Sequence, residues 1–151
     1  PARRSYLFAL FTAEERGILG SAWFLAHSPI PSGRIVLNAA ADMVGRRSEG
    51  KPDVIFVTSG SPDRERLTKA VARAIASGSD VGVEFLTDEA ELQGCDTRPF
   101  LLRSIPSLLF SRGALPPFYH SPEDDAETLD YGKITGAGRL IYRALLDLGN
   151  Q

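Results

Sequence analysis

The chain contains little cysteine and no long hydrophobic run. Cys95 is the only cysteine among 151 residues, which excludes an internal disulfide and a zinc site built from cysteines. No apolar run approaches the roughly 18 consecutive residues that a membrane-spanning helix needs. We therefore expect no membrane span in this chain, and a metal site would have to use other side chains.

Positive charge is neither abundant nor clustered. Lysine and arginine number 17 against 19 aspartates and glutamates, a net charge of -2. Adjacent basic residues occur only at Arg3-Arg4 and Arg46-Arg47. Without a basic stripe there is no electrostatic reason to expect a nucleic acid as partner.

The length fits one domain of ordinary globular composition, with 43% hydrophobic and 24% charged residues. The first four residues (PARR) lead directly into an apolar run, with neither an initiator methionine nor a signal peptide. We interpret residues 1–151 as the C-terminal portion of a single larger domain whose N-terminal strands are missing. An export signal on a longer parent would not be visible here, so the compartment is left open.

Apolar runs and helical periodicities alternate along the chain. The predicted strands are 5–12, 34–41, 53–58, 81–86 and 106–110. The predicted helices are 16–27, 62–77, ended by Gly78, and 130–148, ended by Gly149. This order predicts an α/β fold of three layers, with a mostly parallel sheet and helices on both faces.

Acidic residues and a histidine follow three of the predicted strands. Glu14 and Glu15 come after the first strand, Asp42 after the second, and His120 lies in the long loop after the last. Ligands bind at the carboxyl ends of strands in such sheets, and carboxylates with an imidazole suit zinc. Each residue also has a simpler interpretation: Thr12 to Glu15 fits a helix capping box, Asp42 a turn, and His120 an ordinary loop.

Four ordered motifs resemble those of the co-catalytic zinc aminopeptidases, which include bacterial leucyl-type aminopeptidases and have glutaminyl cyclases and glutamate carboxypeptidases as relatives. Residues 11–21 (FTAEERGILGS) resemble the signature F-x-x-E-E-x-G-L-x-G-S, and residues 38–46 (NAAADMVGR) resemble N-x-x-x-D-M-x-G-R. Residues 105–108 (IPSL) and 119–125 (YHSPEDD) are similar to the G-I-P-S and Y-H-T-P-x-D-T segments. The resemblance covers nearly the whole chain.

The resemblance implies hydrolysis of N-terminal peptide bonds in peptide or aminoacyl substrates, by water bound to two zinc ions. Glu14 matches the general base that takes a proton from this water. Glu15 and His120 match two ligands of one zinc, and Asp42 matches a ligand of the other. This chain would therefore supply the base and three of five metal ligands.

Three further residues match positions close to the substrate. Met43 and Tyr119 adjoin ligands and would line the side-chain pocket, although ordinary core packing explains them equally well. Asp96 matches the aspartate of an S-D-H segment that many relatives show, whose serine and histidine are replaced here by Cys95 and Thr97. These replacements leave the substrate preference open and slightly favour a diverged protein or a pseudoenzyme.

The resemblance also identifies what the chain does not contain. A histidine ligand and the bridging aspartate precede the E-E motif in the family, and His27 cannot replace them, because it lies about 18 Å along the helix from Glu15 at about 1.5 Å per residue. We expect the chain alone to be inactive or nearly so. Two alternatives remain: a non-catalytic binding module on the same fold, and a glutaminyl-cyclase-like acyltransferase, which uses one zinc.

Overall fold

The computed structural model describes residues 3–46, 54–59, 63–86, 90–112 and 115–151, with the backbone alone for 54–59. The helices are α1 Leu19–His27, α2 Arg64–Ala76, α3 Ala90–Gln93, α4 Arg98–Leu101 and α5 Tyr131–Asn150. The strands are β1 Asn38–Ala41, β2 Val54–Ser59, β3 Gly82–Leu86 and β4 Ser107–Arg112. Two predicted element starts, residues 53 and 62, lie outside the described residues.

The strands form one sheet in the order β1-β4-β2-β3. Pairing is parallel between β1 and β4 and between β2 and β3, and antiparallel between β2 and β4. The sheet is therefore mixed but mostly parallel, and the predicted α/β class is confirmed.

The interior strand β4 explains the three layers. Its alternate residues Leu108 and Phe110 pack in the core with α2 and α5, while Leu109 belongs to a separate cluster with Leu92 and Cys95. All five residues from Ser107 to Ser111 are buried. A strand covered on both faces reads as a continuous apolar run, and this is the signal by which it was predicted.

Helices α2 and α5 form one of the covering layers. Their buried residues recur at helical spacing and face each other over the sheet: Leu67, Ala70, Val71 and Ala74 on α2, and Ala137, Leu140, Ala144 and Leu148 on α5. The predicted end of the last helix at Gly149 is wrong, because α5 continues to Asn150. Gly149 instead allows a close approach: a Cβ there would lie 2.1 Å from the Tyr6 hydroxyl oxygen.

The predicted first strand, residues 5–12, is wrong. The segment has no strand conformation, and Tyr6, Leu7, Phe8 and Leu10 are exposed. Within the described part of the chain, no backbone hydrogen bond joins residues 5–11 to another segment. The apolar run has the composition of a strand, but a strand also needs a neighbour to pair with.

Other boundaries differ from the sequence prediction. The second predicted strand is reduced to β1, since residue 34 belongs to a 3-10 turn and residues 35–37 have no strand conformation. The predicted helix 16–27 begins only at Leu19, after a 3-10 turn at Glu14–Arg16, since Gly17 and Ile18 have φ of 103° and 61°. Strand β4 extends two residues further, to Arg112, and the short helices α3 and α4 were not predicted. No helix in the described ranges is both long and apolar enough to cross a membrane.

Candidate metal-binding and catalytic site

The centre of the candidate site is a contact between Glu15 and His120. The His120 Nε2 atom lies 2.7 Å from the Glu15 Oε1 atom, across 105 residues of sequence. Both side chains are exposed, and the His120 ring stacks on Tyr119 with 3.7 Å between ring centroids. Two of the residues singled out from the sequence are therefore brought together.

This contact removes the capping-box interpretation of residues 12–15. The 3-10 turn that carries Glu14 and Glu15 begins after Ala13, and no side chain caps it. The Glu15 side chain does not bond to Thr12; it contacts His120 instead. The carboxylate is thus directed toward the imidazole rather than toward the start of its own helical turn.

Glu14 and Asp42 lie in the same electrostatic environment. Partial burial raises the pKa of the Glu14 carboxyl, the negative charges of Glu15, Asp42 and Asp96 raise it further, and His120 lowers it. Burial also raises the pKa of Asp42, with Arg112 acting in the opposite direction. Carboxylates that raise one another's pKa form a locus where a cation would be favoured.

Left-handed backbone marks the site. Among the described residues, positive φ at non-glycine positions occurs at Ala13, Ile18, Met43, Ser104 and His120. Ala13 precedes Glu14, Met43 follows Asp42, and His120 is itself in this conformation. Such backbone costs free energy and is concentrated at functional sites in proteins generally. Here three of these five residues lie at or next to a predicted site residue.

Asp96 is held by a residue that the sequence analysis did not single out. The buried Ser21 hydroxyl donates a hydrogen bond to Asp96 Oδ1 at 2.5 Å. Ser21 is the last residue of the first motif, which was the available signal. The neighbouring Thr97 is buried as well, and its hydroxyl donates to the Leu92 carbonyl at 2.5 Å. At the position where many proteins with the resembling motif have histidine, this chain therefore has a buried, hydrogen-bonded hydroxyl.

Arg112 was also missed by the sequence analysis. It lies at the carboxyl end of β4, where its Nε donates to the Met43 sulfur at 3.0 Å. Its guanidinium carbon lies 5.5 Å from the centroid of the Tyr119 ring. Arg112 thus joins the two residues proposed to line the substrate pocket, and the rule that ligands bind at carboxyl strand ends would have indicated it.

A buried arginine fixes the loop that carries His120. Arg46 is paired with the Asp124 carboxylate and donates from Nη2 to the Asp125 carbonyl at 2.9 Å. Its guanidinium carbon lies 4.7 Å from the centroid of the Phe118 ring. The Lys133 ammonium donates in turn to the Arg46 carbonyl. The segment after β1, the His120 loop and α5 are connected through these contacts.

The residues fit a metal ion only in part. Zinc bonds of about 2.0–2.2 Å place neighbouring ligand atoms roughly 3.3 Å apart in a tetrahedral site, so the direct contact between Glu15 and His120 would have to open to admit the ion. Across the described ranges, no group of three or more His, Cys, Asp or Glu side chains is arranged to hold a metal. The chain thus offers a ligand pair with Asp42 in the same environment, not a complete ligand set. His27 stacks on Trp23 and takes no part.

An α/β sheet with helices on both faces defines the fold class, and the carboxylates of Glu14, Glu15 and Asp42 lie in one electrostatic environment with the His120 imidazole. The chain belongs to peptidase family M28, whose model matches residues 1–145. A search of curated proteins gives no match.

Solved structures share the fold at low sequence identity. The Legionella pneumophila LapA structure is similar at a TM-score of 0.76 and 23% identity, covering 93% of this chain and 39% of that one. The aminopeptidase from Aneurinibacillus sp. strain AM-1 is similar at 0.64 and 24%, covering 89% and 32%. The γ-secretase component nicastrin is similar at 0.75 and 15%, covering 93% and 31%. The chain thus spans well under half the length of these proteins.

Proposed function

We propose that this chain is part of an M28 aminopeptidase that hydrolyses N-terminal peptide bonds, with Glu14 as general base. In this proposal Glu15 and His120 bind one zinc, and Asp42 binds a second. The observation that carries it is the 2.7 Å contact between Glu15 and His120. The LapA and Aneurinibacillus proteins, both described as aminopeptidases, support the reaction type.

The two adjacent glutamates divide the work in this proposal. Glu15 is engaged with His120, whereas Glu14 has a raised pKa and makes no hydrogen bond to the imidazole. A general base must reach the proton that it takes without being occupied as a ligand. Glu14 therefore accepts a proton on its carboxylate and later returns it to the leaving amine. Bound zinc would supply polarisation of the scissile carbonyl and a lowered pKa for water.

The substrate contacts and the remaining ligands belong to the same proposal. Met43, Tyr119 and Asp96 would contact the peptide near its N-terminus, with Arg112 ordering the first two and Ser21 the third. A histidine ligand and a bridging carboxylate would come from outside these 151 residues, since the chain spans only 39% of the length of LapA. On its own the chain should be inactive or nearly so.

The test uses the only two histidines of the chain as a matched pair. Zinc is titrated into the purified protein by calorimetry, and metal content is measured after dialysis. We expect weak binding of one zinc that His120→Ala abolishes and His27→Ala leaves unchanged. Equal affinity in the two variants would contradict the ligand assignment.

Activity is measured in a longer form of the protein that carries the remaining ligands. There, Glu14→Gln should lower the hydrolysis of an aminoacyl anilide by a factor of about 10² or more while zinc content stays constant. Full activity in Glu14→Gln would remove the general-base role, and loss of zinc in the same variant would show that Glu14 is a ligand instead.

The second candidate is a non-catalytic module on the same fold. Two observations favour it: the fold likeness to nicastrin, described as a component of an assembly, and the structural Thr97 hydroxyl at the position of the family's histidine. A longer form that contains no zinc and is indifferent to Glu14→Gln would establish this candidate and exclude the first.

A further inference from the structure

Three side chains from different parts of the chain meet beside the candidate site, and we call Met43, Arg112 and Tyr119 the Arg112 cluster. The Arg112 Nε atom donates to the Met43 sulfur at 3.0 Å. The guanidinium carbon lies 5.5 Å from the centroid of the Tyr119 ring. All three residues are partly exposed, so a molecule from solvent can reach the cluster.

The guanidinium of Arg112 has no carboxylate partner. Of its five N–H donors, only the one on Nε is engaged, and a thioether sulfur is a weak acceptor. Across the described ranges, Arg112 forms no ion pair, and its two terminal nitrogens donate no hydrogen bond. Other arginines in these ranges do pair with an aspartate: Arg46, Arg66, Arg73 and Arg139.

The surroundings of Arg112 make an unpaired cation unfavourable. Burial lowers the pKa of the guanidinium, and the charges of Tyr119, Glu91 and Asp42 raise it. The two acids are thus near enough to act through their charge but form no ion pair with it. A cation withdrawn from water without a bonded partner costs free energy. A carboxylate that arrives with a ligand would remove this cost, because arginine binds it through two parallel N–H···O bonds.

The position of the cluster indicates which carboxylate of a substrate would reach it. Met43 directly follows Asp42, and Tyr119 directly precedes His120, so two of its three residues adjoin proposed metal ligands. In an aminopeptidase the N-terminal residue of the substrate lies at the reacting groups, and its side chain is the nearest variable group. The C-terminal carboxylate lies at the other end of a peptide and would come close only in a dipeptide.

The chemistry of the cluster selects among N-terminal side chains. Met43 and Tyr119 offer apolar surface for a short methylene stem, and Arg112 offers paired donors for a carboxylate at its end. A neutral side chain would leave the guanidinium without a partner, and a basic one would be repelled. Sites built to bond a polar group reject the analogue that lacks it, strongly so when they are enclosed. Because Arg112 is partly exposed, water would weaken this discrimination.

We propose that Arg112 is a specificity-determining residue that binds the side-chain carboxylate of an N-terminal glutamate or aspartate. The inference rests on the proposed aminopeptidase function and narrows its substrates to peptides with an acidic N-terminal residue. The negative charges of Glu14, Glu15 and Asp42 would by themselves favour a cationic side chain. Arg112 reverses that preference, so the sign of its charge decides which substrates are bound.

The experiment compares aminoacyl anilides in the longer form of the protein that carries the remaining ligands. Glutamyl and glutaminyl anilides are nearly equal in shape, differ in charge and contain no α-carboxylate. We expect kcat/KM to be at least about tenfold higher for the glutamyl compound, mainly through a lower KM. Arg112→Met should abolish this ratio, and Arg112→Lys should retain part of it. Arg112→Glu should make the lysyl anilide the better substrate, an inversion that a purely structural role would not produce. Arg139→Met, at an exposed arginine, should leave the ratio unchanged.

A binding measurement separates this inference from the proposed function. Calorimetry on the Glu14→Gln variant of the same longer form compares glutamic acid α-amide with glutamine α-amide. We expect binding of the acid to be at least about tenfold tighter, with the difference lost on addition of Arg112→Met. Equal binding of the two amides, or a difference that Arg112→Met and Arg139→Met change equally, would overturn the inference even if anilides are hydrolysed. If no anilide is hydrolysed, the proposed function fails, and the two amides still decide whether Arg112 binds a carboxylate.

A third arm distinguishes the two sources of a carboxylate. The dipeptide leucylglycine carries a C-terminal carboxylate, whereas leucine α-amide carries none. We expect Arg112→Met to weaken the binding of neither compound more than the other. A loss confined to leucylglycine would assign Arg112 to the C-terminal carboxylate of short peptides and overturn the side-chain assignment.

Discussion

The replacement Arg46→Ala should destabilise the protein far more than removal of an exposed arginine. The Arg46 side chain is only 7% exposed, and its partner Asp124 is 29% exposed. The replacement also removes the hydrogen bond to the Asp125 carbonyl and the contact with the Phe118 ring. Three contacts that hold the His120 loop are lost together.

The magnitude follows from the burial of the two partners. Removing one partner of a buried ion pair costs about 3–5 kcal/mol, but Asp124 is partly exposed, and water would solvate its carboxylate. The cation–π contact adds about 0.5–1 kcal/mol. We therefore expect a loss of about 2–4 kcal/mol in the free energy of unfolding, a large share of the about 5–15 kcal/mol of a typical domain.

The matched control is Arg139→Ala. Arg139 pairs with Asp80 at 2.8 Å, and both side chains are more than half exposed. Exposed pairs contribute about 0.2–1 kcal/mol, so this variant should remain close to the parent protein.

The assay is urea unfolding, in which Arg46→Ala should lower the midpoint by about 1–2 M for a slope of about 2 kcal/mol per M. Asp124→Asn is made in the parent protein and in Arg46→Ala. The resulting double-mutant cycle measures the coupling free energy of the Arg46–Asp124 pair. If the free energies of unfolding of Arg46→Ala and Arg139→Ala agree within about 0.5 kcal/mol, the buried arginine does not hold the loop and our reasoning is refuted.

Two further predictions concern Glu14 and the nearby Gly20 of α1. The pKa of Glu14 is raised in the folded state, so the carboxyl binds its proton more tightly there than in the unfolded chain, and its ionisation lowers stability as pH rises. Glu14→Gln should therefore be more stable than the parent protein in thermal melts at neutral pH. This gain in stability should vanish below the ordinary pKa of 4.5, where the carboxyl is protonated in both states. A gain that persists in acid would have another cause. Gly20→Ala should lose about 1–3 kcal/mol in urea unfolding, because its Cβ would lie 2.3 Å from the Thr12 carbonyl oxygen. Gly33→Ala is the control, as its Cβ would meet nothing within 4 Å; equal losses in the two variants would show that the approach to Thr12 does not matter.

Local patterns predicted the parts of the fold that are stabilised locally. The four-residue spacing of Leu67 and Val71 predicted α2, and the continuous apolar run through Phe110 predicted β4. Both predictions work because an element buried on one or two faces has its apolar residues at a spacing that the local sequence shows. Residues 5–12 have the same apolar character and form no strand. A strand depends on partners that composition does not reveal.

In the candidate site, too, local sequence patterns predicted some features, whereas contacts between distant residues could not be predicted. The sequence predicted that Glu15 and His120 would lie close together, and the structure places them in contact. The reason given for Glu15 was wrong, because residues 5–12 form no strand whose end could position it. The capping box was a local alternative that the long-range contact replaced. Arg46 and Ser21 could not have been assigned partners from sequence, because their contacts with Asp124 and Asp96 span 78 and 75 residues.

The left-handed residues beside the site have an evolutionary consequence. Glycine would adopt the backbone of Ala13 at less cost, so a lineage released from selection on the direction of Glu14 would gain stability by mutating to glycine there. We therefore expect Ala13→Gly to stabilise the fold while it loosens the proposed general base Glu14, which is the trade-off between stability and activity seen at functional sites. Across natural variants of this chain, replacement by glycine or asparagine at residues 13, 43 and 120 would mark those that have lost the proposed activity.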